Sequence, residues 1–296
     1  MSEREFYIVD VFAEEKYAGN QLAVFTQGHL YTDAEMQKLT KEMNYSESTF
    51  IFPVESAGNT FRVRIFTPAR EVPFAGHPTL GTAYVILKKF VHEPVPEVVL
   101  DLKVGRIPVA VSYTPSGEIA DLIMKQVEPS FGPTVEAAKA AAVLSLPTEA
   151  VDRRYPVQEV STGLPFLIVP LKSLAHVRAA RVNLERLAHL WERLEARGLL
   201  VFAPETYTPA SQLNVRVFCH YLGVPEDPAT GSGNGCLAGY LIRHKYFGTS
   251  NIDIKVEQGY EIGRPSSLRL KGHLVDGYIN VYVGGRVVPV AKGLLL

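Results

Sequence analysis

Short apolar runs alternate with polar turns along the chain, and this pattern predicts a mixture of strands and helices. Residues 6–12 (FYIVDVF) and 22–25 (LAVF) are rich in β-branched and aromatic residues, and apolar and charged residues alternate in 61–66 (FRVRIF). An alternation with period two is typical of half-buried strands. Further strands are predicted at 50–52, 97–102, 106–113, 118–127, 157–161, 166–170, 199–202 and 214–218.

Helices are predicted where the apolar spacing lengthens and where end signals flank it. Thr32 followed by Glu35 has the pattern of a capping box and opens a helix that runs to about Met43. Asn183 caps another helix, which Gly198 stops. The remaining helices are predicted at 79–89, 134–146 and 233–246.

The order of these elements occurs twice along the chain. Residues 63–66 (VRIF) resemble residues 215–218 (VRVF), 152 positions later, and the elements that follow each segment correspond. The length of 296 residues also suits two domains of ~150 residues each. We therefore predict two homologous domains, 1–128 and 129–296, with the option that the last residues cross back to the first.

A glycine-containing loop precedes an apolar helix in each half, at 74–79 (FAGHPT) and at 228–235 (PATGSGNG). Helix N-termini offer unsatisfied N–H donors and a positive dipole end, and glycines let a ligand approach the backbone. Two such ends facing each other across a cleft would hold a carboxylate. The alternative, that both loops only cap their helices, stays open on these residues alone.

Composition excludes several classes of protein. Lys and Arg total 30 against 31 Asp and Glu, so the chain lacks the basic surplus of a nucleic-acid binder. Cys219 and Cys236 are the two cysteines, which indicates a reducing compartment rather than a disulfide framework. The N-terminus is not a signal peptide and no apolar run is long enough to span a bilayer, so we expect a cytoplasmic protein without membrane contact.

Common cofactor and metal motifs are missing from the sequence. The run 231–236 (GSGNGC) has the wrong spacing for a dinucleotide fingerprint, and the eight histidines lack metal-ligand spacing. Three titratable residues lie near the glycine loops: Glu47, His77 and Asp227. They suggest an acid–base cleft, although a solvated glutamate, a helix-capping histidine and a loop-bracing aspartate would explain them equally.

Several segments along the chain together form a recognisable set of motifs. They are 10–12 (DVF) with 19–20 (GN), 42–50 (EMNYSESTF), 65–68 (IFTP), 72–83 (VPFAGHPTLGTA), 227–232 (DPATGS) and 259–265 (GYEIGRP). The set resembles the PhzF-like isomerase family of phenazine biosynthesis over the whole chain, most strongly in the first half. This resemblance implies an α+β fold similar to that of diaminopimelate epimerase. Such a fold has two pseudo-symmetric domains, each a curved β-sheet or barrel wrapped around a central helix.

The resemblance also implies a function and a set of site residues. The expected activity is a cofactor-independent and metal-free isomerisation of trans-2,3-dihydro-3-hydroxyanthranilate or a similar ring carboxylate, carried out by a homodimer. A glutamate would move the proton between ring carbons, which burial assists by bringing its pKa nearer the working pH. The implied catalytic residues are Glu47, His77 and Asp227, and the implied substrate-binding residues are Gly76, Gly231, Ser232 and Asn20.

Two-base epimerases of this fold carry a cysteine in each glycine loop, and here Ala75 and Thr230 occupy those positions. Cys219 ends a predicted strand and Cys236 lies in an apolar helix, so both are expected in the core. A cysteine-based epimerase is therefore not expected. Two alternatives stay open: a non-catalytic protein that binds small carboxylates, and an isomerase or epimerase of another amino or ring acid.

Overall fold

The computed structural model describes residues 4–52 and 59–296, and the chain divides into two compact units. The first unit runs to Met124 and also contains Gly284–Leu296, whereas the second is Lys125–Val283. The division therefore follows Met124 rather than residue 128. The last residues return to the first unit because their strand pairs with the N-terminal strand, with Arg4 opposite Leu295.

Strands make up most of the secondary structure, and they are labelled here in chain order. The strands are β1 (Arg4–Val11), β2 (Asn20–Phe25), β3 (Ser48–Phe52), β4 (Thr60–Phe66), β5 (Glu71–Val72), β6 (Glu97–Leu102), β7 (Gly105–Tyr113), β8 (Ile119–Lys125), β9 (Ser130–Val135), β10 (Val157–Ser161), β11 (Pro165–Pro170), β12 (Gly198–Ala203), β13 (Leu213–Cys219), β14 (Val224–Asp227), β15 (Asn251–Gln258), β16 (Ser266–Val275), β17 (Tyr278–Gly285) and β18 (Val287–Leu295). The α-helices are α1 (Asp33–Met43), α2 (Gly76–Lys89), α3 (Ala137–Val143), α4 (Leu174–Ala179), α5 (Leu184–Trp191) and α6 (Gly231–Arg243). Short 3-10 turns lie at Gly28–Leu30, Thr148–Ala150, His220–Leu222 and Tyr260–Ile262.

Strand pairing follows one plan in both units. In the first, β1–β2 is antiparallel, β2–β3 parallel, β3–β4 antiparallel, β4–β6 parallel and β6–β7 antiparallel. In the second, β10–β11, β11–β12, β12–β13, β13–β15 and β15–β16 repeat these directions in the same order. β18 pairs with β1 as β9 pairs with β10. The pseudo-symmetry predicted from the sequence repeat is confirmed.

Each unit buries one helix on nearly all sides, which is the pattern of a helix inside a core. In α2 every residue from His77 to Leu87 is buried, and α6 is buried from Gly233 to Ile242. α2 contacts β1, β2, β3, β6 and β18, whereas α6 contacts β10, β11, β12, β15 and β16. The predicted α+β fold, with a central helix in each of two domains, is confirmed.

α1 forms as its end signals predict. The Thr32 hydroxyl accepts the backbone N–H of Glu35, and the Glu35 carboxylate accepts the N–H of Thr32 at 2.8 Å. The buried face of the helix carries Met36, which belongs to an aromatic cluster in the first unit. Within that cluster the rings of Phe25 and Phe50 stack 4.7 Å apart. Met43, the last residue of α1, packs against the same cluster, so the helix contacts it along its length.

The region between the two sequence repeats differs from the prediction. The predicted helix 134–146 is shorter than expected: its first two residues belong to β9, and the helix itself is α3, Ala137–Val143. The reason is the pairing of β9 with β10, in which Val135 lies opposite Val157. The helix capped by Asn183 ends at Trp191, well before Gly198, which instead begins β12. Within the described residues, no helix combines the length and the apolar character needed to cross a membrane.

Candidate active site

The first turn of α2 contains two of the predicted site residues. The helix begins at Gly76, three residues earlier than predicted, so Gly76 and His77 are its first two residues. Ala75 precedes them in an extended conformation and makes no side-chain cap. Thr79 N–H donates the first bond of the helix, to the carbonyl of Ala75. The N–H groups of Gly76 and His77 therefore have no acceptor within the helix.

Glu47 lies beside His77. The segment that carries Glu47 leaves α1 through Asn44, whose φ of 53° is left-handed, and enters β3 at the buried Ser48. Oε2 of Glu47 is 3.5 Å from Nε2 of His77. The side chains are 19% and 7% exposed, so water has little access to the contact. The structure thus brings together two residues that are thirty positions apart in the sequence.

Burial keeps the imidazole of His77 neutral. Loss of hydration lowers the pKa of His77 to about 3, although a hydrogen bond with the backbone of Gln21 acts in the opposite direction. Among the described residues Nε2 makes no hydrogen bond, so the contact with Gln21 uses Nδ1. A bond that favours the protonated ring is one in which Nδ1–H donates to the carbonyl. The lone pair of Nε2 then faces Glu47.

Asn20 is the first residue of β2, and the turn before that strand sets its position. Gly19 has a φ of +63°, and a Cβ on it would lie 2.3 Å from the carbonyl oxygen of Val11. Only glycine fits such a backbone, and the turn it makes delivers Asn20 opposite Val11 at the start of β2. The Asn20 side chain is buried, and the next residue is Gln21, which contacts His77. Glu47, Gly76 and His77 therefore form one local group in the first unit, and Asn20 is one residue from the backbone that bonds His77.

Asp227 is tied to the start of the helix in the second unit. It is the last residue of β14, and the hydroxyl of Thr230 donates to its Oδ2 at 2.5 Å. Gln258, the last residue of β15, donates through Nε2 to the carbonyl of Asp227 at 2.7 Å and to Oγ1 of Thr230 at 3.0 Å. These contacts brace the loop from two sides and fix the position of the Asp227 carboxyl.

Gly231 and Ser232 are the first two residues of α6, which begins two residues earlier than predicted. The first backbone bond of this helix runs from Asn234 N–H to the carbonyl of Thr230. The N–H groups of Gly231 and Ser232 thus hold the same positions as those of Gly76 and His77 in α2. The second unit therefore contains a local group of its own, made of Asp227, Gly231 and Ser232.

Each unit also contains its own bidentate ion pair, which lies shortly before its buried helix. Arg64 of β4 binds Glu71 of β5 through Nε and Nη2 at 2.8 and 2.9 Å. Arg216 of β13 binds Glu226 of β14 in the same way at 2.8 and 2.7 Å. Both glutamates lie five residues before their helix begins at Gly76 or Gly231. The pairs fasten each glycine loop to the sheet.

Neither cysteine lies where a thiol base would be needed. The helix-preceding positions are held by Ala75 and Thr230. Cys219 and Cys236 are both buried and unbonded to each other. Burial raises the pKa of Cys236 to about 11, so its thiol stays protonated near neutral pH. Within the described residues no three His, Cys, Asp or Glu side chains converge as a metal-ligand set.

Sequence reasoning identified Asp227 but missed the two residues that position it. Thr230 was considered only as a place where a cysteine was absent, and Gln258 was not singled out. Gln258 follows the alternating strand 251–258 (NIDIKVEQ) and lies directly before Gly259. A polar residue that ends a strand at a buried position is a weak signal, and the bonds from Gln258 reach back 31 residues to Asp227.

Comparisons with known proteins agree on one family. Residues 9–293 match the family model described as phenazine biosynthesis-like protein, PhzC-PhzF. An uncharacterized isomerase of Mesorhizobium japonicum is 33% identical over 305 residues, covering 100% of this chain and 99% of the relative. The trans-2,3-dihydro-3-hydroxyanthranilate isomerase of Pseudomonas aeruginosa is 32% identical over 290 residues, covering 97% of this chain and 98% of the relative.

A solved structure resembles the fold over its full length. The crystal structure of a PhzF-family phenazine biosynthesis protein from Bacillus anthracis superposes with a TM-score of 0.90, covering 100% of both chains. The sequence identity is 24%, so this likeness supports the fold alone.

Proposed function

The chain is an isomerase and belongs to the phenazine biosynthesis-like family, and on this premise we propose that Glu47 moves a proton within a small carboxylate-bearing ring substrate. The family predicted from the sequence motifs is thereby confirmed. The proposed substrate is trans-2,3-dihydro-3-hydroxyanthranilate or a similar ring acid, because the relative from Pseudomonas aeruginosa is named for that reaction. The proposed reaction uses no cofactor, as the family resemblance implies.

The observation that supports the acid/base role is the contact between Glu47 and a neutral histidine. A lysine or arginine at 3.5 Å would hold the carboxylate permanently ionised, but His77 carries no charge near neutral pH. Its Nε2 lone pair accepts a hydrogen bond from Glu47 when the carboxyl is protonated. Glu47 can therefore alternate between carboxylate and acid, which a proton-transfer catalyst requires.

The proposed step balances without any oxidant or reductant. The Glu47 carboxylate removes a proton from one ring carbon, and the electrons of the broken C–H bond pass into the conjugated system of the substrate. The protonated Glu47 then returns the proton to a different ring carbon, so that the product is an isomer. N–H groups at the start of a helix stabilise the negative charge that develops between the two transfers.

The remaining site residues bind the substrate in this proposal, except Asp227, which acts as a second acid/base group. The N–H groups of Gly76, Gly231 and Ser232 donate to anionic groups of the substrate, and the buried Asn20 amide adds a polar contact. In the proposal Asp227, whose Oδ2 accepts the Thr230 hydroxyl, exchanges a proton with a substrate heteroatom. Formation of a homodimer, which rests on the resemblance, and a cytoplasmic location, which rests on the sequence pattern, are also part of the proposal. Sedimentation velocity of the purified protein tests the dimer.

Incubation of the protein in D2O with trans-2,3-dihydro-3-hydroxyanthranilate, followed by NMR of the product, tests the proposal. We expect isomerised product with deuterium at the newly protonated carbon. A panel of other ring acids and amino acids, screened in parallel, separates the alternatives. Turnover of a panel member alone would move the activity to another substrate. Binding of the ring acids without any deuterium incorporation would indicate a carboxylate-binding protein and would contradict the proposal.

A further inference from the structure

Gln258 is fully buried, and its amide uses all of its hydrogen-bonding capacity on the segment from Asp227 to the first turn of α6. Nε2 donates to the carbonyl of Asp227 at 2.7 Å and to Oγ1 of Thr230 at 3.0 Å. Oε1 accepts the backbone N–H of Thr230 at 3.2 Å and the side-chain N–H of Asn234 at 2.8 Å. Two donors and two acceptor positions are therefore occupied at once.

This arrangement allows one orientation of the Gln258 amide. A flipped amide would point its NH₂ group at the two N–H donors of Thr230 and Asn234 and its oxygen at the carbonyl of Asp227. Because Gln258 must then donate to the Thr230 hydroxyl, that hydroxyl has to direct its single proton elsewhere. Oδ2 of Asp227, at 2.5 Å, is the acceptor. The donor direction runs from Gln258 to Thr230 to Asp227.

From this chain of bonds we infer that Gln258 is a positioning residue for the reaction, which acts through Thr230 to keep Oδ2 of Asp227 an acceptor. Oδ1 is then the oxygen on which Asp227 carries a proton. A hydroxyl that donates to a carboxylate stabilises the ionised form of the carboxylate and narrows the range of orientations that the carboxylate samples. The role of Gln258 in catalysis rests on the proposed function. The direction of the hydrogen bonds from Gln258 to Asp227 is independent of it.

The first unit shows that a helix of this fold does not need such a brace to form. α2 begins after Ala75, which has no hydroxyl and makes no side-chain cap, yet the helix is buried and complete. In the second unit the Thr230 hydroxyl donates to Asp227, and no backbone N–H group of α6 donates to this hydroxyl as a helix cap. The Gln258–Thr230 pair is therefore tied to Asp227 rather than to the start of the helix.

NMR titration of the ligand-free protein, labelled with ¹³C at the aspartate carboxyls, tests the inference. The Asp227 signal is assigned by its loss in Asp227→Asn. We expect Thr230→Val and Gln258→Met each to raise the titration midpoint of the Asp227 carboxyl by about one pH unit, because the ionised form loses a donor or its orientation. Thr230→Ser, which keeps the hydroxyl, should restore the wild-type midpoint.

Gln158→Met is the matched control, since that amide also bonds at both ends in the second unit, to the Gly132 carbonyl and to His244. In Gln158→Met the titration midpoint of the Asp227 carboxyl should equal that of the wild type. The double variant Thr230→Val/Gln258→Met should shift the midpoint no further than Thr230→Val alone, because Gln258 acts through the hydroxyl. An unchanged midpoint in Thr230→Val overturns the inference, and this variant alone decides if Gln258→Met does not fold.

The catalytic consequence is read from the pH profile of kcat/KM. We expect the acid limb of the profile to move by the same amount as the Asp227 midpoint in both variants. A shifted midpoint with an unmoved profile would overturn the positioning role while leaving the bond direction intact. Absence of wild-type turnover would instead contradict the proposed function, and the titration of the ligand-free protein would still report on Gln258.

Discussion

Nε2 of His77 and Oε2 of Glu47 lie 3.5 Å apart in a contact that water hardly reaches. Burial holds the histidine neutral, so the two groups share at most one proton rather than forming a permanent ion pair. The hydrogen bond with the backbone of Gln21 fixes the ring so that its unprotonated nitrogen faces the carboxyl. A neutral partner of this kind orients a proton-transferring carboxyl without holding it in one state.

The neutral state of His77 predicts how stability depends on pH. The pKa of His77 is about 3 in the folded chain and 6.5 as its ordinary value, so below pH 6.5 the unfolded chain binds a proton that the folded chain does not. The free energy of unfolding should therefore fall on acidification by about 1.4 kcal/mol per pH unit from this residue. Urea unfolding at pH 7, 6 and 5 measures this dependence. His77→Gln should reduce the slope of unfolding free energy against pH by that amount.

His189→Gln is the control for this measurement, because the His189 side chain is 72% exposed and lies on the surface of α5. It should leave the dependence of the unfolding free energy on pH unchanged. If His77→Gln retained the full wild-type slope between pH 6.5 and 5, the neutral, buried state of His77 would be wrong.

The two cysteines should be dispensable for activity. Burial raises the pKa of Cys236 to about 11, so its thiol stays protonated near neutral pH, and Cys219 is buried as well. We expect Cys219→Ala and Cys236→Ala to retain wild-type kcat/KM within about threefold. Iodoacetamide at pH 8 should label the folded protein far more slowly than the urea-unfolded protein. Rapid labelling of the folded protein with loss of activity would point to thiol chemistry.

The repeated bidentate pairs should contribute unequally to stability. Arg216 and Glu226 are 6% and 11% exposed, against 18% and 25% for Arg64 and Glu71. Removing the charge of Glu226 leaves the buried Arg216 only the more distant carboxylate of Glu261, at 4.0 Å, whereas without Glu71 the more exposed Arg64 still binds Asp33 at 2.6 Å. We therefore expect Glu226→Gln to lower the free energy of unfolding by about 3 kcal/mol and Glu71→Gln by about 1 kcal/mol.

An exposed pair supplies the comparison for these variants. Arg269 and Asp253 meet at 2.8 Å, but their side chains are 35% and 50% exposed. Asp253→Asn should change the unfolding free energy by less than about 1 kcal/mol in the same urea titration. Equal losses of unfolding free energy in all three variants would contradict a larger contribution from the buried pair of Arg216 and Glu226.

Local signals predicted the elements that local interactions define. Thr32 and Glu35 form the reciprocal cap that their spacing predicts, and the alternating strand at 61–66 is β4. The starts of α2 and α6 were placed too late because Gly76, Pro78 and the glycines from 231 onward have low helix propensity. Burial inside each unit stabilises these turns, and a local pattern does not contain that information.

Strand β9 is not predicted from the sequence, and only its last two residues fall within the predicted helix 134–146. Residues 132–133 (GP) favour a turn, and the alanines that follow favour a helix. The strand tolerates this proline at an irregularity of its pairing, between the register points of Gln158 and Val160. The pairing partner is more than twenty residues away, so no window along the sequence reveals it.

The site residues were named from the family resemblance, and the structure adds the contacts between them. Neither Glu47 nor His77 has a local pattern that predicts their proximity. Gln258 cannot be found from a local pattern because its hydrogen bonds run from the end of β15 to Asp227 at the end of β14, 31 residues earlier, and Thr230 acquires its role only together with Gln258. Such contacts are set by tertiary structure, which also explains why substrate choice does not follow from the motifs.

The most direct measurement is the rate of solvent-deuterium incorporation into trans-2,3-dihydro-3-hydroxyanthranilate by the wild type and by Glu47→Gln. Glutamine keeps the size and the hydrogen-bonding shape of Glu47 but cannot accept and return a proton at working pH. We expect the variant to bind the substrate with unchanged affinity and to lose at least about 10³-fold in kcat for both exchange and isomerisation. Deuterium incorporation by Glu47→Gln at the wild-type rate would contradict the role of Glu47.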